Sequence, residues 1–158
     1  MAIKRLQIEY KQIIDEPSEF YSIAINPTNF LKWNILILGP SDTIFEGGIF
    51  NCSIEFSKNY PNKAPVFKFT NNMFHPNIYP DGKICISILH EGEDIFGYEN
   101  INERWNPSHS VNSIILSIIS ILSEPNFESP ANVDASKLWK EDYNEYKKII
   151  YKLIAKNH

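Results

Sequence analysis

Between residues 20 and 69 the chain repeats one pattern four times: a short run rich in β-branched and aromatic residues, then a break. The runs cover 20–25, 31–38, 48–56 and 66–69, and the breaks include Asn26-Pro27, Gly39-Pro40-Ser41-Asp42 and Tyr60-Pro61-Asn62. Connections this short favour hairpins over crossovers, so the runs predict a four-stranded antiparallel meander. In the third run Phe50, Cys52, Ile54 and Phe56 alternate with Asn51, Ser53 and Glu55, which places one apolar and one polar face on that strand.

Helical spacing frames the meander. Ahead of it, Ile3, Leu6, Tyr10, Ile13 and Ile14 recur between Lys4, Arg5, Glu9 and Lys11, and Pro17 ends the run. Behind it, Ser110 can cap a helix over 111–123 whose polar residues Ser113, Ser117, Ser120 and Glu124 form one narrow stripe. Most of that helix is apolar, so it is expected to be largely buried. Residues 133–156 read as two more helices carrying Leu138, Trp139, Tyr143, Tyr146, Ile149, Ile150 and Leu153. There is no internal repeat and no low-complexity segment.

Composition limits the function classes. A chain of 158 residues, 43% hydrophobic and 22% charged, reads as one soluble domain spanning 1–158, able to bury roughly 70% of its unfolded surface without staples. Two cysteines cannot build a disulfide framework. A net charge of −4 argues against nucleic acid as partner. The longest apolar stretch, 114–122, falls well short of the ~18 residues of a membrane span. The first residues lack the apolar core of a signal peptide, and so few cysteines suit the reducing cytosol.

The charge is not spread evenly. From His90 to Arg104, Glu91, Glu93, Asp94, Glu99 and Glu103 face only Arg104, so this one segment holds the −4 of the whole chain. A charge run is ordinarily a solvated surface. This one directly follows Cys85.

Cys52 lies on the apolar face of the third run, where a free cysteine acts as a small hydrophobe. Cys85 instead follows the turn Tyr79-Pro80-Asp81-Gly82, inside a long aperiodic stretch, 73–107, of a kind that is usually functional. A thiol there can be reached by a large partner, and a thiolate is both nucleophile and leaving group, suited to carrying an acyl group as a thioester. Three alternatives remain open on spacing alone. Cys85 could be a buried structural residue. A zinc site could draw on Cys85, His75, His90 and His109, although no Cys-x-x-Cys or His-x-x-x-His pair is present. A cysteine protease would need one histidine as base and a third orienting group.

In order and spacing, Tyr60-Pro61, Pro65, His75-Pro76-Asn77, Gly82, Cys85 and Trp105-x-Pro107 resemble the ubiquitin-conjugating enzymes. The resemblance spans the chain, from Lys4-Arg5-Leu6 through Trp33, Gly39-Pro40 and Phe45-x-Gly47-Gly48 to the terminal helices. Residues 85–105, with Ser129-Pro130-Ala131-Asn132-Val133-Asp134, are similar to a subclass that carries an acidic insertion after the catalytic cysteine, here Glu91, Glu93, Asp94 and Glu99. The resemblance implies an α/β fold of the α+β kind: N-terminal helix, four-stranded antiparallel meander, active-site loop and three C-terminal helices.

It also implies roles. Cys85 takes ubiquitin's C-terminus from the activating enzyme as a thioester and passes it to a lysine amine with a RING-type ligase. Asn77 steadies the oxyanion through its side-chain amide, or else is a turn residue that only holds the loop. His75 ties the backbone together, and Ser87, His90, Trp105 and Ser129 support the site. Lys4, Arg5, Asn62, Pro107 and Ser108 are the implied partner-binding positions. No metal or cofactor is implied, because ATP is used by the activating enzyme. The subclass is associated with lysine-48-linked chains, proteasomal degradation and, for some members, degradation of endoplasmic-reticulum proteins, which implies a cytoplasmic enzyme recruited by a membrane ligase.

The chain departs from the family pattern in four places. Many relatives carry aspartate at the positions of Ser87 and Ser129, and apolar ligase contacts at those of Asn62 and Ser108. Two other readings are a conjugating enzyme for a ubiquitin-like protein and a catalytically inactive ubiquitin-binding adaptor. The retained Cys85 and Asn77 weigh against the adaptor, and the acidic insertion weighs for ubiquitin.

Overall fold

The computed structural model describes residues 1–92 and 103–156. Helix α1 (Ala2–Asp15) leads into strands β1 (Tyr21–Asn26), β2 (Asn29–Leu38), β3 (Ile49–Glu55) and β4 (Val66–Phe69). A turn of 3-10 helix (Ser87–Leu89) and helices α2 (Val111–Ser123), α3 (Val133–Glu141) and α4 (Tyr143–Lys156) follow. The strands pair antiparallel in the order β1-β2-β3-β4, the meander the spacing predicts. Edges shift by one or two residues, β2 beginning ahead of its run and β3 ending inside it. Strand β2 starts at Asn29, ahead of its apolar run, because Asn29 pairs with Asn26 across the hairpin.

Register builds the core. Trp33 lies opposite Ile54 and Ile54 opposite Phe67, while Ile35 faces Cys52 and Cys52 faces Phe69. All of these are buried. So is the inner side of α2, where Val111, Ile114, Ile115, Ile118 and Leu122 expose no surface. Leu116 departs from the expected pattern. It stands on the side of Ser113, Ser117 and Ser120 and remains 44% exposed, so the solvent stripe of α2 is wider than its polar residues indicate. Among the described residues no helix is long and apolar enough to cross a membrane.

Helix α1 corrects the sequence pattern more sharply. Ile3 and Ile14 are exposed, whereas Ala2, Leu6 and the charged Glu9 are buried. Ala2, Leu6, Glu9 and Ile13 fall along one helical stripe, and Ile3 and Ile14 sit about 100° off it. Glu9 tolerates burial because every oxygen is used. Its Oε1 accepts from the N–H of Val111 at 2.7 Å, and its Oε2 accepts from the Tyr60 hydroxyl and from Arg5 Nε at 3.0 Å. A carboxylate thus meets the positive end of α2 and one of its unpaired N–H groups. Burial first, and then the bond to Glu9, push the Tyr60 phenol well above its usual range.

Glu9→Ala is expected to lower unfolding stability by about 3 kcal/mol, since removing one member of a buried charge network leaves the others unpaired. Urea denaturation measures it. Lys11→Ala, which breaks the exposed pair Lys11 Nζ–Asp15 at 2.7 Å, is expected to leave the midpoint unchanged.

Candidate active site

Residues 77–85 form a tight hairpin. The Cys85 N–H donates to the Asn77 carbonyl at 2.8 Å, the Tyr79 N–H to the Lys83 carbonyl at 2.8 Å and the Gly82 N–H to the Tyr79 carbonyl at 2.9 Å. Ile78 and Ile84 bridge across it. Gly82 is required at the turn. Its φ is +93°, and a Cβ there would lie 2.0 Å from the Phe69 carbonyl oxygen. The Phe69 N–H donates to the Gly82 carbonyl at 2.8 Å, so the hairpin is fixed to the end of β4.

Alternation along the hairpin sorts its side chains. Ile78 and Ile84 turn into the core. Tyr79 is 44% exposed and Cys85 is half-buried, a thiol open on one side. Tyr79 is the diagonal neighbour of Cys85 across the hairpin, within reach of a long side chain. Negative charge on the Cys85 sulfur, followed by partial burial, raises the Tyr79 phenol above its usual range. In the sequence Tyr79 reads only as a turn residue. The turn spacing from Tyr79 to Gly82 was the available signal, because it sets the register that puts residues 79 and 85 side by side. Cys52, by contrast, is buried on β3, and desolvation drives its thiol far up, where it is inert.

The hairpin is anchored from beneath. Asn77 is 1% exposed. Its Nδ2 donates to the Asn126 carbonyl at 2.8 Å and its Oδ1 accepts from the Asn126 N–H at 2.9 Å. His75 Nδ1 accepts from the Asn77 N–H at 3.0 Å, and His75 Nε2 lies 3.0 Å from the carbonyls of both Ile121 and Leu122. Carbonyls only accept and the amide only donates, so the ring is the neutral Nε2–H tautomer. Burial holds its pKa down at about 4. The Pro76 carbonyl accepts from the N–H groups of Ala131 and Asn132 at 2.7 and 3.0 Å, and the Tyr146 hydroxyl of α4 donates to the Phe74 carbonyl at 2.6 Å. Ser129 sits exposed in the stretch these bonds pin down.

The geometry removes His75 from the zinc and protease readings, because both of its nitrogens are occupied. His109 Nε2 is bonded to the Arg104 carbonyl at 3.0 Å. Among the described residues no three metal-ligating side chains converge.

Beyond Cys85, Ser87 opens the 3-10 turn and its carbonyl accepts from the His90 N–H at 2.9 Å. The half-buried His90 gives its own carbonyl to the Trp105 N–H at 3.0 Å, and Arg104 Nη2 donates to the carbonyl of the exposed Glu91 at 2.8 Å. Glu93, Asp94 and Glu99 lie outside the described residues. Trp105 Nε1 donates to the Pro61 carbonyl at 2.9 Å, and its ring centroid is 5.8 Å from that of Tyr60. These contacts join the turns that display Asn62, Pro107 and Ser108, all exposed. Lys4 is exposed as well. Arg5 is turned inward, its Nη2 donating to the Pro107 and His109 carbonyls at 3.0 and 2.9 Å.

Comparison with known proteins agrees with this architecture. A family model described as "Ubiquitin-conjugating enzyme" matches residues 5–154. The chain is 49% identical over 158 residues to human "Ubiquitin-conjugating enzyme E2 G2", covering 99% of this chain and 96% of that one. It is 47% identical over 154 residues to Arabidopsis thaliana "Ubiquitin-conjugating enzyme E2 7", covering 96% and 93%.

The His75 anchor has a pH signature. Its pKa of about 4 in the fold lies below the ordinary value of 6.5, so on acidification the unfolded chain takes up the proton first. The anchor's contribution is complete above pH ~6.5 and is lost as pH falls towards ~4, a loss on the order of 3 kcal/mol. Chemical denaturation across that window is expected to show the loss in the wild type. His75→Ala, less stable at pH 7, is expected to show a flatter profile.

Proposed function

The chain belongs to the ubiquitin-conjugating enzyme family, and from that premise we propose that Cys85 is the thiol that carries ubiquitin. The family's enzymes are transferases that work between an activating enzyme and a ligase. Here the Cys85 thiolate attacks the activating enzyme's ubiquitin thioester, and that enzyme's own sulfur leaves. A lysine amine then attacks the new thioester carbonyl, the carbon–nitrogen bond forms, and the carbon–sulfur bond breaks with its electron pair passing to Cys85. The amine's surplus proton is lost to solvent or to a nearby carboxylate.

The observation that carries this reading is a half-exposed thiol at the end of a hairpin braced at Asn77, His75 and Gly82. Such a support holds the reacting atom still without crowding it. Asn77 is proposed as the oxyanion donor. One of its amide protons is held by Asn126, which fixes the direction of the other. His75, Ser87, His90, Trp105 and Ser129 are proposed as the supports of the site. Asn62, Pro107 and Ser108 present the proposed ligase face, a RING-type one, with Lys4 on the exposed side of α1. No cofactor is required, because ATP is consumed by the activating enzyme.

The finer assignments rest on the resemblance to the subclass with an acidic insertion. They are lysine-48-linked chains, proteasomal degradation, and a cytoplasmic enzyme working at the endoplasmic-reticulum surface through a membrane ligase. An approaching lysine is a cation that must shed a proton, and the carboxylates following Cys85 both attract the cation and offer a base.

Incubation with ubiquitin, activating enzyme and ATP is expected to give an adduct on a non-reducing gel that thiol reductant removes. Cys85→Ala is expected to abolish it and Cys52→Ala to retain it with some loss of core stability. An adduct that persists on Cys85→Ala overturns the assignment.

Neutralising Glu91, Glu93 and Asp94 together is expected to slow discharge to lysine more than charging. The long-range part of the effect is expected to fade as salt approaches ~0.15 M, where the Debye length is about 8 Å. Equal slowing of both steps would make the segment a support of the fold alone.

A further inference from the structure

We propose that Lys83 is an internal acceptor for the acyl group on Cys85, so that the charged enzyme modifies itself on this lysine when no other amine is supplied. Within the hairpin 77–85, Lys83 carries the only side-chain amine. Ile84, which stands between it and Cys85, is buried and bridges to Ile78, so alternation puts Lys83 and Cys85 on the same outward face. On that face Lys83 is exposed and Cys85 half-buried. Two residues of extended chain separate Cα atoms by roughly 6.6 Å, a gap that the flexible four-carbon stem of lysine spans. Backbone bonds hold this register. The Lys83 carbonyl accepts from the Tyr79 N–H, the Cys85 N–H donates to Asn77, and the Lys83 N–H donates to Asp81 Oδ1 at 3.0 Å.

On its other side Lys83 bridges to Lys68 of β4, an antiparallel pairing that sets two ammonium groups opposite each other. Like charges so placed repel, which disfavours a stem leaning on β4 and favours one lying along its own strand. Among the described residues no carboxylate holds Lys83 in an ion pair. The transfer balances without a further reactant. The Lys83 ammonium releases a proton to solvent, and the neutral amine attacks the thioester carbonyl. The carbon–nitrogen bond forms, the carbon–sulfur bond breaks, and its electron pair passes to Cys85, which takes up a proton and is left as a free thiol. A bond that thiol reductant cleaves has become an amide that it does not. Because both groups sit on one strand the step is unimolecular, and proximity favours it over attack by dilute external amines.

This inference rests on the conjugating reading for its ubiquitin, but one arm of its test does not. The enzyme is charged with ubiquitin whose own lysines are methylated, ATP is then removed, and neither lysine nor ligase is added. A one-ubiquitin adduct that survives reductant is expected, its ubiquitin remnant mapped to Lys83 by mass spectrometry and its first-order rate unchanged on dilution of the enzyme. Lys83→Arg is expected to slow the adduct about tenfold or more, since a guanidinium keeps its proton and cannot attack, with charging and the thermal midpoint unchanged. A charged enzyme that forms no adduct overturns the proposal. So does a remnant on other lysines, a rate that falls with dilution, or an adduct unaltered in Lys83→Arg. In the second arm the uncharged enzyme is treated with a small thioester, S-phenyl thioacetate, which acylates cysteine and needs neither ubiquitin nor activating enzyme. Acetyl is expected on Lys83 in the wild type and not in Cys85→Ala. Equal acetylation of Lys83 in both proteins, or none in either, overturns the relay through sulfur. Acetyl transfer through Cys85 in a protein that never charges with ubiquitin would keep Lys83 as the acceptor and remove the ubiquitin reading.

Discussion

A neutral imidazole ties the start of the reactive hairpin to the end of the central helix. The last turn of a helix leaves carbonyls without partners, and in α2 two of these, on Ile121 and Leu122, are taken by His75 Nε2. The opposite nitrogen accepts from the Asn77 backbone. One ring thus uses a donor and an acceptor on opposite edges, which an ammonium or a carboxylate cannot do. One side of the hairpin follows from it, while the turn at Gly82 is held separately by Phe69. Asn77 is fixed at its backbone by His75 and at its side chain by Asn126, and Cys85 is fixed at its own N–H by Asn77.

The other end of α2 is finished by the same logic with the sign reversed. Glu9 accepts from the first N–H of the helix, while Ser110 and Ser113 exchange hydrogen bonds as a cap. The most buried helix in the protein is therefore completed by polar side chains from residues about fifty and a hundred positions earlier in the chain. That accounts for the burial of Glu9 and His75 in a largely apolar interior. Each satisfies backbone that burial would otherwise leave unpaired, at a cost that grows in a low-dielectric surrounding. Glu9 also reaches Tyr60, and through Arg5 the carbonyls of Pro107 and His109, so the turns around Trp105 are positioned by the first helix.

Where local pattern and tertiary demand coincide, the sequence was legible. The four strands, the cap at Ser110 and the two closing helices follow from periodicity and turn chemistry, and the bounds of β4 are those its apolar run indicates. Helix α1 is amphipathic, as its spacing indicates, but its buried stripe is not the one its apolar residues mark. Ile3 and Ile14 looked like core residues and Glu9 like surface, because the partner that permits a buried Glu9 lies at Val111. Long-range hydrogen bonds of this kind leave no periodic trace. The site divides the same way. Cys85, Asn77 and His75 stand out through their resemblance to a family motif, while the Asn126 contact and Tyr79 emerge only once the hairpin register is known.

The bonds between His90 and Trp105, and between Glu91 and Arg104, bring together the two points where the acidic segment leaves and rejoins the chain. A segment whose ends are already tied contributes little strain to the body that carries it, and the entropic cost of its closure rises only slowly with its length. Insertions, deletions and exchanges of sign within it can therefore be sampled without disturbing the hairpin or the core. The ties from His90 to Trp105 and from Glu91 to Arg104 thus leave the bonds that hold the sulfur, at Asn77, Tyr79 and Gly82, independent of what the chain carries between them.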